Sequence, residues 1–316
     1  MRFTLQASLI SWSALTLLSP SSFPGQREER LIVEKKTTHI PAGSGQKPFD
    51  VTRHVISLSQ IQSGGPPKNG IPALDHPVFI SAAEADRDLK SEDLVLGVEF
   101  AGVAKAYPVR ILNWHEVVND DVGDQPVLIS WCPLCGSGVV YDPRAEGRRY
   151  TFGVSGLLYQ QNLLLFDSDT ESLWSQLRGQ AIAGPLAGTY LRLLPVTMST
   201  WRSWKADHSQ TLALSFHTGY KREYSRDPYR DWPLDRRMAL VISQGSQTKI
   251  YPYSELKKAG PSVQDELAEL SFTILFNAKE QSATVQASSG KPPPHFVAFL
   301  GDARAFFPNA AMYKAR

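Results

Sequence analysis

Residues 95–112 read VLGVEFAGVAKAYPVRIL, two short apolar runs that meet at Ala101-Gly102. Runs of this length, rich in Val, Leu, Phe and Tyr, favour strands, and Ala-Gly between them is typical of a tight hairpin turn. A short helix is predicted next, over residues 109–118. Residues 239–256, ALVISQGSQTKIYPYSEL, follow the same plan. We therefore interpret the two stretches as copies of one hairpin–helix unit.

The two copies carry matching residues at matching places. At an offset of 144 residues, Lys105, Tyr107, Pro108 and Leu112 correspond to Lys249, Tyr251, Pro252 and Leu256. At an offset of 145 residues, Asp120 corresponds to Asp265, Cys132 to Asn277 and Cys135 to Glu280. The cysteines therefore belong to the first copy alone, and we expect two pseudo-symmetric halves around one core.

The rest of the chain has the same pattern of short apolar runs separated by prolines and glycines, and the whole chain contains 22 of each of these two residues. This pattern predicts a β-rich α+β fold with many short strands and a two-fold internal repeat of hairpin–short helix–strand units. We expect residues 49–232 to form the main domain with the cysteine pair. Residues 233–316 are expected to form the second repeat unit, which lacks cysteines and packs on the first.

Composition excludes several classes of protein. Hydrophobic residues make up 42% of the 316 positions and charged residues 20%, so the chain is long and apolar enough to fold around a core. Lys and Arg number 33 against 31 Asp and Glu, a net charge of +2 that argues against nucleic acid as a partner. No dinucleotide or Walker motif is present, so no nucleotide cofactor is expected. An unknown protein or a small molecule remains as the expected partner.

The first residues are typical of an export signal. Residues 3–18 are apolar apart from scattered Ser, Thr and Gln, and the run is short for a membrane-spanning helix. We predict a signal peptide over residues 1–21, a flexible leader over residues 22–48, and a periplasmic or secreted protein with no membrane span after cleavage. An uncleaved N-terminal anchor is the alternative.

The chemistry is expected at Cys132 and Cys135, in the sequence Trp-Cys-Pro-Leu-Cys-Gly. Two thiolates within one turn suit a soft metal ion, copper or zinc, and His115 is the best candidate for a further ligand. Glu116 would then orient the His115 ring. This metal site is the leading hypothesis.

Two other interpretations of the cysteines stay open. A thiol–disulfide oxidoreductase would use Cys132 as the attacking thiolate and Cys135 as the resolving thiol. Residues 136–141 predict a turn into another strand, so the helix that lowers the thiol pKa in thioredoxin-like proteins is not expected. A non-catalytic scaffold or binding protein would use the pair only as a short structural disulfide.

Five further residues are candidates for a pocket or for support of the site. Ser155 lies in a glycine-rich stretch that lacks the Gly-x-Ser-x-Gly pattern, so we expect a turn there. Asp167 follows an apolar strand, where a solvated turn is favoured over a cation site. Trp174, Ser175 and Gln176 offer an aromatic wall with two polar groups.

Five ordered blocks carry a family resemblance: NWHEVVND (113–120), PVLISWCPLCGSGVVYD (126–142), FGVSGLLYQQNLLLFD (152–167), SLWSQLRGQAIAGPLAG (172–188) and TGYKREYSRDPY (218–229). With them, the chain from about Gly70 to Leu256 resembles the bacterial family of domain of unknown function 3179 (DUF3179). The resemblance implies a bacterial, usually exported protein whose signature blocks contain the candidate residues above. It implies no particular activity.

Overall fold

The protein is described here from a computed structural model, which covers residues 30–315. Regular structure is mostly strand, so the predicted β-rich α+β class is confirmed. The helices are short: α1 Ala82–Ala85, α2 Val109–His115, α3 Trp201–Asp207, α4 Tyr253–Ala259 and α5 Leu300–Phe306. The predicted signal peptide, residues 1–21, lies outside the described residues, and export stays a prediction.

The strands are given in chain order. The first six are β1 Ile32–Val33, β2 His39–Ile40, β3 Phe49–Asp50, β4 Arg53–His54, β5 Ile61–Ser63 and β6 Phe79–Ser81. The next twelve are β7 Leu94–Phe100, β8 Val103–Pro108, β9 Val117–Val122, β10 Gln125–Cys132, β11 Ser137–Asp142, β12 Arg144–Ala145, β13 Arg148–Arg149, β14 Phe152–Tyr159, β15 Asn162–Asp167, β16 Leu173–Ser175, β17 Gln180–Ala183 and β18 Arg192–Leu194. The last nine are β19 Thr197–Thr200, β20 Leu212–Leu214, β21 Met238–Gln244, β22 Gln247–Pro252, β23 Ser262–Leu267, β24 Leu270–Asn277, β25 Ser282–Ala287, β26 His295–Phe299 and β27 Ala311–Met312.

Four sheets of three or more strands form the body of the molecule. Their strand orders are β1-β4-β17-β16-β15-β14-β5, β27-β22-β21-β26-β11-β10-β9 with β18 also paired to β11, β19-β7-β8-β20-β6, and β23-β24-β25. One large apolar core runs across both predicted domains, since Ile129 and Phe306 belong to the same buried cluster. The division at residue 232 stays a prediction.

The first hairpin and its helix follow directly from local residue preferences. Ala101 and Gly102 have φ of 51° and 79°, the conformation of a two-residue hairpin turn between β7 and β8. Helix α2 begins after Pro108 and ends three residues earlier than the predicted residue 118. The reason is Glu116, which takes a left-handed conformation with φ of 58°, after which the β-branched residues of β9 begin a strand.

The two predicted copies have the same order of elements. Strands β7 and β8, helix α2 and strands β9–β11 match β21, β22, α4 and β23–β25. Equivalent hydrogen bonds also recur: Lys105 and Tyr107 donate to Asp120 at 2.8 and 2.6 Å, and Lys249 and Tyr251 donate to Asp265 at 2.6 and 2.9 Å. These observations agree with an internal repeat, which stays an interpretation.

The two segments are interleaved in space. Strand β26, from the C-terminal part, lies between β11 of the first segment and β21 of the second. Conversely, β25 of the second segment lies beside β19, which pairs with β7 of the first. The eight-stranded sheet therefore contains strands of both segments, and the three-stranded sheet of the second segment lies beside the five-stranded sheet of the first.

Two short strands lie within the predicted leader. Strand β1 pairs with β4, and β2 pairs with β3, so parts of residues 30–48 have regular partners further along the chain. Between residues 30 and 315 no helix is long and apolar enough to cross a membrane.

Candidate dithiol site

The two cysteines lie at the turn between β10 and β11. Strand β10 ends at Cys132, which is opposite Ser137, the first residue of β11. The Cys135 amide donates to the Cys132 carbonyl at 3.2 Å, and Gly136 has a φ of 51° that favours glycine. The predicted turn into another strand is confirmed, and the thiols are not at a helix N-terminus.

Both cysteines are free thiols, and both are closed off from solvent. Cys132 is 1% exposed and Cys135 is 0% exposed. Contact with the Cys132 thiol, together with burial, raises the pKa of the Cys135 thiol well above its usual range. The Cys135 sulfur also donates to the Gln161 carbonyl oxygen at 3.6 Å. Cys135 is therefore a protonated thiol in contact with its neighbour.

A carboxyl group from the far end of the chain reaches Cys135. The Phe299 amide donates to the Cys135 carbonyl at 2.7 Å, which joins the start of α5 to the turn. One turn further on, the Asp302 side chain contacts the Cys135 thiol. Burial raises the pKa of Asp302, and the contact with Cys135 lowers it in part. Asp302 is thus a half-buried proton acceptor beside the inner thiol.

Gln176, which follows β16, forms side-chain hydrogen bonds that support the cysteine turn. Its side-chain oxygen accepts hydrogen bonds from Ser137 Oγ at 2.9 Å and from Asn162 Nδ2 at 2.8 Å. Its nitrogen donates to the Ser137 carbonyl at 3.1 Å. The Asn162 side chain in turn interacts with the Cys135 thiol. Gln176 therefore belongs to the layer that positions the cysteines.

His115 is buried, and both nitrogens of its ring are engaged. Nδ1 donates to the Pro72 carbonyl at 2.8 Å, and Nε2 is 2.7 Å from the Tyr224 hydroxyl. Burial lowers the pKa of His115, so the ring is neutral and Tyr224 donates to Nε2. The ring would have to leave one of these bonds to bind a metal ion.

Glu116 is linked to the cysteine turn by Tyr229. The Tyr229 hydroxyl donates a hydrogen bond to Glu116 Oε1 at 2.9 Å. The same side chain is close enough to Cys132 for the phenol and the thiol to interact electrostatically. Burial raises the pKa of Glu116 to about 7, although the bond from Tyr229 lowers it. Glu116 is thus a buried carboxyl that changes charge near neutral pH.

Residues 218–237, which we name the cover segment, form an irregular stretch that lies against α2. Arg110 Nε donates to the Tyr224 carbonyl at 3.1 Å, and Trp114 Nε1 donates to the Arg226 carbonyl at 3.2 Å. Asn113 Nδ2 donates to Asp227 at 3.3 Å. Together with His115 and Glu116, these contacts bring two of the quoted sequence blocks, 113–120 and 218–229, face to face.

The other predicted pocket residues bond within the neighbouring seven-stranded sheet. The turn expected at Ser155 is wrong, because this residue lies inside strand β14, where its Oγ donates to the Leu164 carbonyl at 2.5 Å. Asp167 accepts from the Thr170 amide at 2.6 Å and from Trp174 Nε1 at 2.9 Å, so it closes the turn after β15. Ser175 is buried in β16, where its carbonyl accepts from the Gly179 amide at 2.9 Å.

Residues 30–315 contain no group of three or more His, Cys, Asp and Glu side chains placed to hold a metal ion. The structure thus brings together Cys132, Cys135 and, through Tyr229, Glu116. His115 is on the same helix end but is bonded elsewhere. Metal binding stays a prediction.

Several residues of the site were missed by sequence reasoning. Tyr224 and Tyr229 stand in the block 218–229, one of those that carry the family resemblance, and this block mixes aromatic and charged residues, so a signal for them existed. Asn162 stands in another block, next to a turn. Asp302 has no local signal, since it comes to Cys135 from 167 residues further along the chain (302 − 135).

The fold and the site define a strand-rich α+β protein with a buried, reduced Cys-x-x-Cys turn, near which lie the carboxyls of Glu116 and Asp302. Comparison with family models then places it: the chain belongs to the family described as Protein of unknown function (DUF3179), whose model matches residues 68–293. This match confirms the resemblance drawn from the sequence blocks. Neither the curated proteins nor the solved structures that were compared with the chain gave a match.

Proposed function

We propose that the protein is a thiol–disulfide oxidoreductase in which Cys132 and Cys135 form the reacting pair. One observation carries the proposal: two free thiols are in contact within one tight turn, and the Asp302 carboxyl contacts the inner one. A resolving thiol with a raised pKa needs a base at hand, and the half-buried carboxylate of Asp302 can supply one.

The reaction follows from these positions. The Cys132 thiolate attacks a disulfide of the substrate, whose S–S bond breaks and whose first sulfur leaves as a thiolate that takes up a proton. Cys135 then passes its proton to Asp302 and attacks the Cys132 sulfur of the mixed disulfide. The second substrate thiol leaves, and Cys132 and Cys135 are joined by a disulfide. Two electrons have moved from the protein to the substrate, and an external dithiol restores the reduced pair.

The proposal predicts a specific effect of Asp302. In Asp302→Asn, mixed-disulfide resolution is expected to slow at least tenfold at pH 7, because the proton of Cys135 loses its acceptor. The first attack by Cys132 is expected to change little. Stopped-flow reaction with an aromatic disulfide, followed by mass spectrometry of the trapped mixed disulfide, measures the two steps separately.

Asp124→Asn is the matched control, because Asp124 is an exposed aspartate outside the site. Cys132→Ser is expected to abolish the reaction, and Cys135→Ser is expected to stop it at the mixed disulfide. If the wild-type pair does not cycle between dithiol and disulfide in a glutathione buffer, the proposal is wrong.

Binding of a soft metal ion at Cys132 and Cys135 is the second candidate function. Two sulfurs without a third ligand suit copper(I) better than zinc, which usually takes four ligands. Elemental analysis of anaerobically purified protein tests it: the hypothesis expects about one copper per chain. The copper should be lost in the double Cys→Ser variant. It should be kept in His115→Gln, since both ring nitrogens of His115 have other partners.

A further inference from the structure

The cover segment closes the site that the reaction needs. With exposures of 1% and 0%, neither cysteine can meet a substrate disulfide in this arrangement. Tyr229 lies near Cys132 and bonds to Glu116, so the cover segment is the part of the chain directly over the outer thiol. A substrate must therefore take the place of this segment.

The bonds under the cover segment are of a kind that any polypeptide can make. Arg110 and Trp114 donate to main-chain carbonyls, at 3.1 and 3.2 Å, and every residue of every chain has such a carbonyl. Both donors are side chains of α2, which the core holds through the buried Ile111 and Leu112. The face of α2 thus offers fixed donors to a chain that lies across it.

Two further contacts select a side chain. His115 Nε2 and Glu116 Oε1 each accept a hydrogen bond from a tyrosine hydroxyl, at 2.7 Å from Tyr224 and 2.9 Å from Tyr229. Buried acceptors of this type discriminate against a residue that lacks the hydroxyl, because they would then stay unpaired. The site therefore favours a chain with tyrosine.

The second segment has an open cleft at the corresponding place. By the offsets of the repeat, Lys257, Gly260 and Asn277 correspond to Asn113, Glu116 and Cys132. All three line a cleft of about 680 Å³ between α3 and β24. In the first segment their counterparts contact the cover segment or lie beneath it. A cleft of this size is within the usual range for ligand sites and admits a short stretch of chain.

From these contacts we infer that the face of α2 and the Cys132 turn form a binding site for a polypeptide that carries tyrosine near a disulfide. In the absence of that polypeptide, the cover segment of the same chain occupies the site. The inference deepens the proposed function and rests on it for the reaction, but the binding itself involves no thiol.

A labelled synthetic peptide of residues 218–237 tests the inference by fluorescence anisotropy. The full-length variant Tyr224→Ala/Tyr229→Ala, whose own cover segment is weakened, is expected to bind the peptide at least tenfold more tightly than the wild type does. A peptide with Phe at the positions of Tyr224 and Tyr229 is expected to bind that variant at least fivefold more weakly. Lys221→Ala, an exposed change on the cover segment, is the control and should behave as the wild type.

The same titration in a Cys132→Ser/Cys135→Ser background separates the two proposals, since binding should survive there even if the redox function is wrong. The inference is overturned if the weakened variant does not bind the peptide, or if the Phe peptide binds equally well. If the double variant does not fold, Tyr229→Phe replaces it. Its thiols should react with N-ethylmaleimide at least threefold faster than those of the wild type, and an unchanged rate overturns the inference.

Discussion

Glu116 combines two unfavourable features in one residue. Its backbone is left-handed, with a φ of 58°, and its carboxyl is buried. Non-glycine residues in this conformation often mark functional sites, where the surrounding structure maintains the strain. Here the strain ends α2 and turns the Glu116 side chain toward Tyr229, which links it to the cysteine turn.

The raised pKa of Glu116 predicts a pH dependence of stability. The pKa rises from 4.5 to about 7 on folding, so between these values the folded state holds the proton more tightly than the unfolded state. Stability is therefore expected to fall as pH rises through this window, by roughly 3 kcal/mol if no relaxation occurs. Glu116→Gln should remove this decline, and urea unfolding at pH 5, 6, 7 and 8 measures it.

Glu269→Gln serves as the matched control, since Glu269 is also left-handed, with a φ of 64°, but is exposed. Its stability curve should run parallel to that of the wild type. If the pH dependence of stability in Glu116→Gln also runs parallel to that of the wild type, Glu116 does not cause the loss of stability at higher pH.

At the scale of elements, the turn between β10 and β11 depends on a residue from β16–β17. Gln176→Leu keeps a similar volume but removes four side-chain hydrogen bonds. Two join Gln176 to the Ser137 hydroxyl and carbonyl, one to the Ser130 carbonyl and one to Asn162. Because these groups are buried, the variant is expected to lose about 3 kcal/mol of unfolding free energy. Denaturant unfolding measures the loss, with Gln247→Leu at an exposed hairpin end as the comparison. An equal loss in both variants would rule out the supporting role of Gln176.

The elements also show what local patterns can predict. The hairpin that turns at Ala101-Gly102 was predicted, because apolar, strand-favouring runs flank a two-residue turn there, and its first strand is Leu94–Phe100. The predicted helix over 109–118 ran too far, since nothing local signals that Glu116 would adopt a left-handed φ. The cysteine turn was predicted from the sequence. Its partner Asp302 was not, because only the pairing of β26 with β11 brings α5 to the turn.

For the whole molecule, the interleaved sheets predict one cooperative unfolding transition. Asp120→Ala and Asp265→Ala each remove the shared acceptor of a lysine and a tyrosine, one in each segment. Asp120→Ala should cost about 3 kcal/mol. Asp265→Ala should cost less, because the Lys249–Asp265 side chains are 21% and 18% exposed against 12% and 10% for Lys105–Asp120. Both variants should shift the same transition, seen at one denaturant concentration by tryptophan fluorescence and by circular dichroism. Two separate transitions would mean that the segments are independent domains.

The position of β26 also determines when, during synthesis, the cysteine turn can be enclosed by the rest of the fold. The cysteine turn leaves the ribosome well before residues 295–306, which supply β26, Phe299 and Asp302. Until those residues emerge, β11 lacks its neighbour on that side, and the two sulfurs are more open to oxidants than in the finished fold. Unwanted oxidation of a newly made molecule is therefore expected mainly in the interval between synthesis of residue 135 and the docking of residue 302.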